Sequence, residues 1–388
     1  MNRRTVGEQP FTLGDAVAQG VGFGPALSLI ALVALSACST PPRTAPPTER
    51  ATLSAESGQT LFSGQRVLEN LAMLVDAGSR RPGSLSAARA ADWIVGELQA
   101  MGAEVEVWGS GPAGSDLSDA SIGALVGILE GESPDPVLLV ARYDTLPGER
   151  DKRGPKTLAS ATGAAVVLEL GRVLAQVSRP YSIWLVFLEG DGLAGGPEPA
   201  QVSSQSSEAL IFPGSHAAAA ELEARQLIER VRLAIFLGSL PGPKLVLERD
   251  LRSHRMYRET FWQSAELLDG TSMFPATNTF SSPQAGHLAF LARGVRPTVA
   301  LIGRYDEVLG GGAGSPEMRE SLPDAAEFER LGRVTLDALD RISRRLGRIE
   351  AFAKSPLGKV PAADAMDSPP VEDETSEKLP NSSKSALD

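Results

Sequence analysis

The pattern of hydrophobic and polar positions alternates helix-like and strand-like segments through the middle of the chain. Apolar residues recur at helical spacing in six segments, and apolar runs or strict alternation mark six strands. The predicted helices are 66–75, 87–101, 163–174, 217–231, 254–268 and 325–345. The predicted strands are 104–108, 124–129, 137–141, 183–188, 233–237 and 297–302. This order predicts an α/β fold, a three-layer α/β/α sandwich with a mixed, largely parallel central sheet. In such folds, sites lie beyond the carboxyl ends of the strands.

The N-terminal end departs from this pattern. Residues 24–35 form an apolar run of about a dozen residues, too short to span a bilayer comfortably. The run follows Arg3 and Arg4 and ends in Leu35-Ser36-Ala37-Cys38, which resembles a bacterial lipoprotein cleavage box. The resemblance implies that residues 1–37 are a signal peptide and that Cys38 carries the lipid anchor. The alternative is an ordinary secretory signal or short anchor in which the cysteine is incidental.

Two further segments look unable to fold by themselves. Residues 38–58 are rich in proline and threonine and are predicted to form an extended tether. The stretch 353–388 is predicted to be a disordered acidic tail, because it holds too little apolar surface to offset the entropy of ordering. From about Ser355 onward its acids are Asp364, Asp367, Glu372, Asp373, Glu374, Glu377 and Asp388, against Lys359, Lys378 and Lys384. One domain is therefore predicted over residues 59–352.

Composition narrows the function classes. The chain of 388 residues is 42% hydrophobic, enough for a sizeable core, and its formal net charge of −11 argues against nucleic-acid binding. A single cysteine excludes a disulfide framework and a multi-cysteine zinc site. Only three histidines are present, so a three-histidine zinc site would use all of them.

Five segments carry motifs in a fixed order. They are 80–84 (RRPGS) with the helix and strand that follow, 137–145 (VLLVARYDT), 162–170 (TGAAVVLEL), 183–190 (IWLVFLEG) and 287–302 (HLAFLARGVRPTVALI). Together they resemble the zinc-dependent aminopeptidases, a family that includes the glutaminyl-peptide cyclotransferases. The resemblance covers about residues 65–344. It implies that family's fold, with one or two zinc ions that polarise a carbonyl group and a glutamate that moves the proton.

The same resemblance places the family's site, and most ligand positions carry residues that cannot bind zinc. The positions fall at Arg142 (ligand), Asp144, Ala159 (bridging ligand), Glu189, Asp191 (catalytic acid), Gly192 (ligand), Gly238 (ligand) and His287 (final ligand). At most one of five ligand positions survives, at His287. The catalytic acid is shortened by one methylene at Asp191. We therefore expect no metal and no other cofactor.

Arg142 is the most informative change, because a guanidinium stays charged and cannot ligate zinc. We expect it to replace the metal as the counter-charge and to pair with Asp144, Asp191 or Glu189. The alternative is a surface arginine at the end of a strand. His287 has a similar alternative, a histidine kept for packing.

Three other segments are weaker candidates for a functional site. The run Gly214-Ser215-His216 places no acid beside the histidine, so a catalytic triad is not expected. The glycine-rich stretch 310–314 lacks a Gly-Lys-Ser/Thr ending and is predicted to be a flexible loop, not a phosphate site. His254 lies near a predicted helix start and is expected to face solvent.

These observations favour a non-catalytic peptide- or protein-binding lipoprotein of the bacterial cell envelope. It would contact the membrane through Cys38 and bind no nucleic acid. Ser39 is not the aspartate that signals inner-membrane retention, which favours the periplasmic face of the outer membrane. Two enzymatic alternatives stay open. One is a zinc peptidase or cyclotransferase with rearranged ligands Asp144, Asp191 and His287, and the other is metal-free hydrolysis with Asp191 or Glu189 as the base.

Overall fold

The computed structural model describes residues 61–109, 123–145, 155–191, 212–277, 279–304 and 322–355, without the side chains of 155–159. The helices are α1 Gly64–Asp76, α2 Leu85–Ala100, α3 Pro155–Leu174, α4 Pro213–Ala224, α5 Arg255–Leu267, α6 His287–Ala292 and α7 Ala325–Lys354. The strands are β1 Glu104–Gly109, β2 Gly123–Leu129, β3 Ser133–Arg142, β4 Tyr181–Glu189, β5 Leu233–Leu237 and β6 Thr298–Leu301. Among these residues, no helix is long and apolar enough to cross a membrane.

All six strands form one sheet in the order β1-β2-β4-β3-β5-β6. Strands β4, β3, β5 and β6 run parallel, whereas β2 is antiparallel to both of its neighbours, β1 and β4. The predicted α/β fold with a mixed, largely parallel sheet is confirmed. The strand order also explains the hydrophobic pattern. The parallel strands are buried on both faces, so their sequences are continuous apolar runs.

Two apolar cores cover the two faces of the sheet. Successive residues of a strand point to opposite faces, so Leu138 and Val140 belong to one core while Val137 and Leu139 belong to the other. The larger core holds the apolar residues of α1, α2, α3, α5 and α7, and the smaller core holds those of α4 and α6. This is the three-layer arrangement that the sequence predicts.

Helix boundaries follow local capping chemistry. Ser84 caps α2, since its Oγ accepts from the Ala87 N–H at 3.1 Å. The predicted helix 217–231 is shorter at its end: α4 stops at Ala224, and Gln226 takes a positive φ of 59°. Helix α7 continues beyond the predicted end at 345 to Lys354, and Leu346, just past the predicted end, is buried.

The start of the described chain is fastened to α3. The buried Glu169 accepts from the Ser63 N–H at 2.9 Å and from Arg172 Nε at 2.7 Å. Arg172 in turn donates to the carbonyl of Leu61 at 2.6 Å. Gly64, the first residue of α1, packs so closely on the Ala325 carbonyl at the start of α7 that a Cβ would lie 1.7 Å from that oxygen. The first turn of α1 is thus held by both α3 and α7.

Candidate functional site

Three buried carboxylates, Asp144, Glu189 and Asp191, lie where β3 and β4 end. These strands are parallel neighbours, and Arg142 at the end of β3 is in register with Leu188 near the end of β4. The exposed fractions of the acids are 0%, 8% and 3%, respectively. Burying three acids together is costly unless each has a partner. We call Asp144, Glu189 and Asp191 the carboxylate cluster.

Arg142 pairs with the first of these acids. Its Nε lies 3.5 Å from Asp144 Oδ1, and its Nη2 donates to the Asp144 carbonyl at 3.4 Å. The other carboxylate oxygen, Oδ2, accepts from the Gly190 N–H at 3.1 Å. Since the Arg142 side chain is only 19% exposed, it is not a free surface arginine. Of the three expected partners, Arg142 therefore pairs with Asp144.

Glu189 is held by Tyr143, a residue to which the sequence analysis gives no role. The Tyr143 hydroxyl donates to Oε2 at 2.8 Å, and the Gly83 N–H donates to Oε1 at 3.2 Å. Burial raises the pKa of Glu189 and outweighs these hydrogen bonds, which act in the opposite direction. Burial, together with the charge of Glu189, also raises the pKa of Tyr143 well above its usual value. Tyr143 therefore stays protonated and acts as a permanent donor.

Asp191 is held by Ser215, the second functional residue that the sequence analysis missed. The Ser215 N–H donates to Oδ1 at 2.7 Å, and its hydroxyl donates to Oδ2 at 2.5 Å. Burial and the nearby charge of Asp144 raise the pKa of Asp191 to about 6, against the opposing effects of Ser215 and Arg142. The segment Gly214-Ser215-His216 thus joins the site through its serine, whose hydroxyl binds the aspartate and not the adjacent histidine.

Two glycines allow the backbone to close over Asp191. A Cβ at Gly214 would lie 2.2 Å from the Glu189 carbonyl oxygen. A Cβ at Gly286 would lie 2.0 Å from Ser215 Oγ and 2.7 Å from Asp191 Oδ2. Contacts below about 3 Å do not occur for real Cβ atoms, so larger residues require the surroundings to shift. The aspartate is consequently enclosed by main chain on two sides.

Arg80, from the 80–84 motif, binds the segment that follows β3. Its side chain is fully buried and donates to the Tyr143 carbonyl at 2.7 Å and to the Leu74 carbonyl at 2.8 Å. It also donates to Ser160 Oγ at 3.2 Å, while its own carbonyl accepts from the Thr145 N–H. Arg80 is a positioning residue for the segment that carries Arg142, Tyr143 and Asp144. The signal in the sequence is the place of Arg80 in the 80–84 motif, but most of its acceptors are backbone carbonyls, which no sequence pattern reveals.

His287 lies near this site but its imidazole is engaged elsewhere. The buried ring places Nε2 at 3.4 Å from Asp250 Oδ2 and packs edge-to-face on Phe236. Asp250 also accepts from the Ser253 hydroxyl at 2.7 Å. Burial alone would raise the pKa of Asp250, but His287, Ser253 and the Arg252 N–H outweigh it and hold that pKa below its usual value. Thus Gly286 approaches Asp191 while the next side chain faces Asp250.

The remaining predicted positions supply no ligand side chain in the described part of the chain. Gly238 follows β5, and a Cβ there would already lie 3.0 Å from Ile302 Cγ1. Ala159 lies in α3, within the stretch whose side chains are not described. Gly192, Cys38 and the glycine-rich stretch 310–314 lie outside the described residues. The expectation that His254 faces solvent is only partly right. His254 is half-buried, and its Nδ1 accepts from the Tyr257 N–H as the N-cap of α5.

The described residues do not fit the zinc site that the resemblance implies. Among them, no group of three or more His, Cys, Asp and Glu side chains could hold a metal ion. The alternative set Asp144, Asp191 and His287 is therefore not assembled as such a group. Zinc sites normally present at least three protein ligands. Here one of the three acids, Asp144, is instead paired with a guanidinium.

Comparison with solved structures places the fold. Porphyromonas gingivalis glutaminyl cyclase is similar with a TM-score of 0.58 and 19% identity, covering 72% of this chain and 99% of that one. A Zn-dependent exopeptidase from Parabacteroides distasonis gives 0.60 and 18%, covering 72% and 98%. An Acidobacteriales bacterium glutaminyl cyclase gives 0.58 and 20%, covering 78% and 99%. The domain has a glutaminyl cyclase- and zinc exopeptidase-like fold. No protein-family model and no curated protein matches the sequence.

Proposed function

We propose that this chain is a lipid-anchored protein of the bacterial cell envelope whose cyclase-like domain binds a peptide or protein partner without zinc catalysis. The observation that carries the proposal is that each acid of the carboxylate cluster has a partner within the chain. Asp144 is paired with Arg142, Glu189 with Tyr143, and Asp191 with Ser215. In a metal enzyme, carboxylates at the strand ends are ligands or act on a metal-bound water.

Charge arithmetic supports this interpretation. Arg142 brings one positive charge to a place where a zinc ion would bring two. The other two acids accept hydrogen bonds from Tyr143, Ser215 and the backbone. Each acid of the cluster is therefore stabilised by a group of the chain itself. Arg142 acts as a structural replacement for the metal in this proposal.

The partner class follows from the place of the site. Strands β3, β4 and β6 are parallel and end at one edge of the sheet, the carboxyl edge, where α/β folds form their crevices. A crevice that once held a peptide N-terminus can still hold a peptide after metal chemistry is lost. Anchoring at Cys38 through the tether 38–58 would present that crevice in the periplasm, on the outer membrane.

The direct test is metal content and activity of the purified full chain. After EDTA treatment and re-exposure to zinc, we expect far less than one zinc per chain by elemental analysis. We also expect no hydrolysis of aminoacyl amides and no cyclisation of N-terminal glutaminyl peptides above the rate of the Asp191→Asn variant. Saturable binding of an unmodified peptide in the presence of EDTA supports the binding role. Stoichiometric, tightly held zinc with chelator-sensitive turnover overturns the proposal.

A second candidate rests on the pKa of Asp191. A carboxyl group with a pKa of about 6 is close to the optimum for a general base near neutral pH. Metal-free hydrolysis would then resist chelators, follow an apparent pKa near 6, and disappear in Asp191→Asn. Against this candidate, both oxygens of Asp191 already accept from Ser215, and the side chain is nearly fully buried.

A further inference from the structure

A groove lined by arginines lies at the opposite edge of the sheet from the carboxylate cluster. It is an open cavity of about 380 Å³ lined by Arg341, Arg344, Arg345 and Arg348 of α7 and by Thr260 and Gln263 of α5. The neighbouring Glu350 accepts from the Tyr181 hydroxyl at the start of β4. This part of α7 therefore lies at the amino ends of the parallel strands. We call the cavity the arginine groove.

The arginine groove carries positive charge that the described residues do not neutralise. Arg341 and Arg344 pair with Asp337 and Asp340, each one helical turn earlier. Arg345 and Arg348 are exposed and form no ion pair with any described residue. Burial lowers the pKa of His254, and the positive charge of Arg345 lowers it further.

This concentration of charge is unfavourable for the helix alone. Positions 341, 344, 345 and 348 share one helical face, and like charges three or four residues apart destabilise a helix. The chain as a whole is acidic, with a net charge of −11, so the groove is a local exception. A bound polyanion would remove the repulsion. The chemistry of the site therefore points to a ligand with several carboxylates or phosphates close together.

The chain itself supplies a segment of that chemistry. Helix α7 ends at Lys354, and the residues from 356 onward, which lie outside the described part, contain the acidic stretch 372–377. That stretch holds Glu372, Asp373, Glu374 and Glu377 and no basic residue. Charge complementarity between groove and stretch is thus built into one polypeptide.

The connecting chain has a suitable length. At 1.5 Å per residue, Arg345 lies about 15 Å along the helix from Ser355. The seventeen residue-to-residue steps from Ser355 to Glu372 would span roughly 22 Å as a flexible chain. Effective concentration is highest when the r.m.s. length of a linker is close to the span, and it then reaches the millimolar range. Contacts that are weak individually can therefore be populated.

We propose that the acidic stretch 372–377 docks in the arginine groove of its own chain, with its carboxylates on Arg345 and Arg348. The contact is electrostatic and exposed, so it is reversible and weakens with salt. It replaces the expectation of a fully solvated tail with a tail that covers one defined surface. It also leaves the opposite, carboxyl edge of the sheet free.

Zero-length crosslinking of the full chain tests this contact. Arg345→Lys and Arg348→Lys keep the charge and introduce amines that a carbodiimide can couple to carboxylates. We expect intramolecular links from both positions to peptide 372–377, at least five-fold more abundant by mass spectrometry than links from Arg333→Lys, an exposed control on the same helix. The excess should vanish in 0.5 M NaCl. Thermal unfolding of each variant checks that the exposed substitutions leave the fold intact.

A charge change inside the groove separates docking from chance encounter. Adding Arg344→Glu to Arg348→Lys should reduce the links to 372–377 several-fold, while Arg333→Glu should not. Equal yields from positions 345, 348 and 333, or no effect of Arg344→Glu, overturn the proposal. Links found only between two molecules, rising with protein concentration, overturn it in favour of a second copy. Groove arginines protected by anionic vesicles, without tail links, overturn it in favour of a membrane surface.

Discussion

Ser215 donates two hydrogen bonds to Asp191, one from its N–H to Oδ1 at 2.7 Å and one from its hydroxyl to Oδ2 at 2.5 Å. Both oxygens of the aspartate are therefore occupied by one residue of α4. This arrangement gives the buried acid a defined partner without making it strongly acidic, because burial still raises its pKa to about 6. The stability of the protein should reflect that balance.

The first prediction concerns Asp191→Asn and the pH dependence of stability. The folded pKa of about 6 lies above the unfolded value near 3.9, so between about pH 4 and 6 the folded state retains a proton that the unfolded state has lost. The stability from this group is present below pH 4 and is lost as pH rises through 6. We expect Asp191→Asn to remove this loss and to be up to about 3 kcal/mol more stable than the parent at pH 7.

Urea unfolding from pH 4 to 8 measures the effect. Asp340→Asn is the matched control, since its ion pair with Arg344 is exposed and it should keep the parent's decline between pH 4 and 6. An Asp191→Asn profile parallel to that of the parent would show that Asp191 titrates normally.

The second prediction concerns the hydroxyl of Ser215. Ser215→Ala keeps the N–H donor but leaves Asp191 Oδ2 without its donor in a buried site, which should cost about 1–3 kcal/mol at pH 7. The cost should fall in the Asp191→Asn background. Ser264→Ala is the control, because the buried Ser264 hydroxyl has no hydrogen-bond partner among the described residues and its removal should be neutral or slightly stabilising. Equal losses at the two serines would contradict the assigned role.

The third prediction concerns Arg142→Met, which keeps bulk and removes the charge. We expect a loss of about 2 kcal/mol at pH 7, because Asp144 is fully buried and loses its counter-charge. The pKa of Asp191 should also rise further, since the charge of Arg142 now lowers it. Carboxyl-carbon NMR titration reads out that shift directly. Arg344→Met, at an exposed ion pair, should change stability by less than about 0.5 kcal/mol.

The fourth prediction concerns zinc. Arg142→His restores one family ligand type, yet we expect far less than one zinc per chain, because one histidine beside Asp144 does not make a three-ligand site. The triple variant Arg142→His, Ala159→Asp, Gly192→Glu restores three positions and should bind zinc more tightly than the single variant. Elemental analysis after dialysis distinguishes them. Stoichiometric zinc in the parent or in the single variant would falsify our account of the site.

The sheet was predictable because burial on both faces leaves a simple mark. Segments such as 137–141 and 183–188 are apolar throughout, and the structure places both in the parallel part of the sheet. Helix α6 was not predicted, since a helix of six residues has no room for a periodic pattern. The predicted end of α7 at 345 is too early, since the buried Leu346 continues its apolar face and the helix runs to Lys354.

The partners within the site were less predictable than the positions. The hydrophobic pattern and the resemblance place Asp191 and Arg142 at strand ends, but Ser215 contacts Asp191 across 24 residues and Asp250 contacts His287 across 37. Neither contact follows a local spacing rule. Nothing in the sequence around Tyr143 distinguishes it from other residues at the end of a strand. Its hydrogen bond to Glu189 is visible only in the tertiary structure.

The attachment of the first helix has a mechanical consequence. The chain begins its described course at Leu61, whose carbonyl is bonded to Arg172, and the next donor, the Ser63 N–H, is bonded to Glu169 of the same helix. Gly64 then seats α1 on the start of α7. A pulling force applied from the N-terminal side would therefore load these contacts with α3 and α7 before it reached any strand.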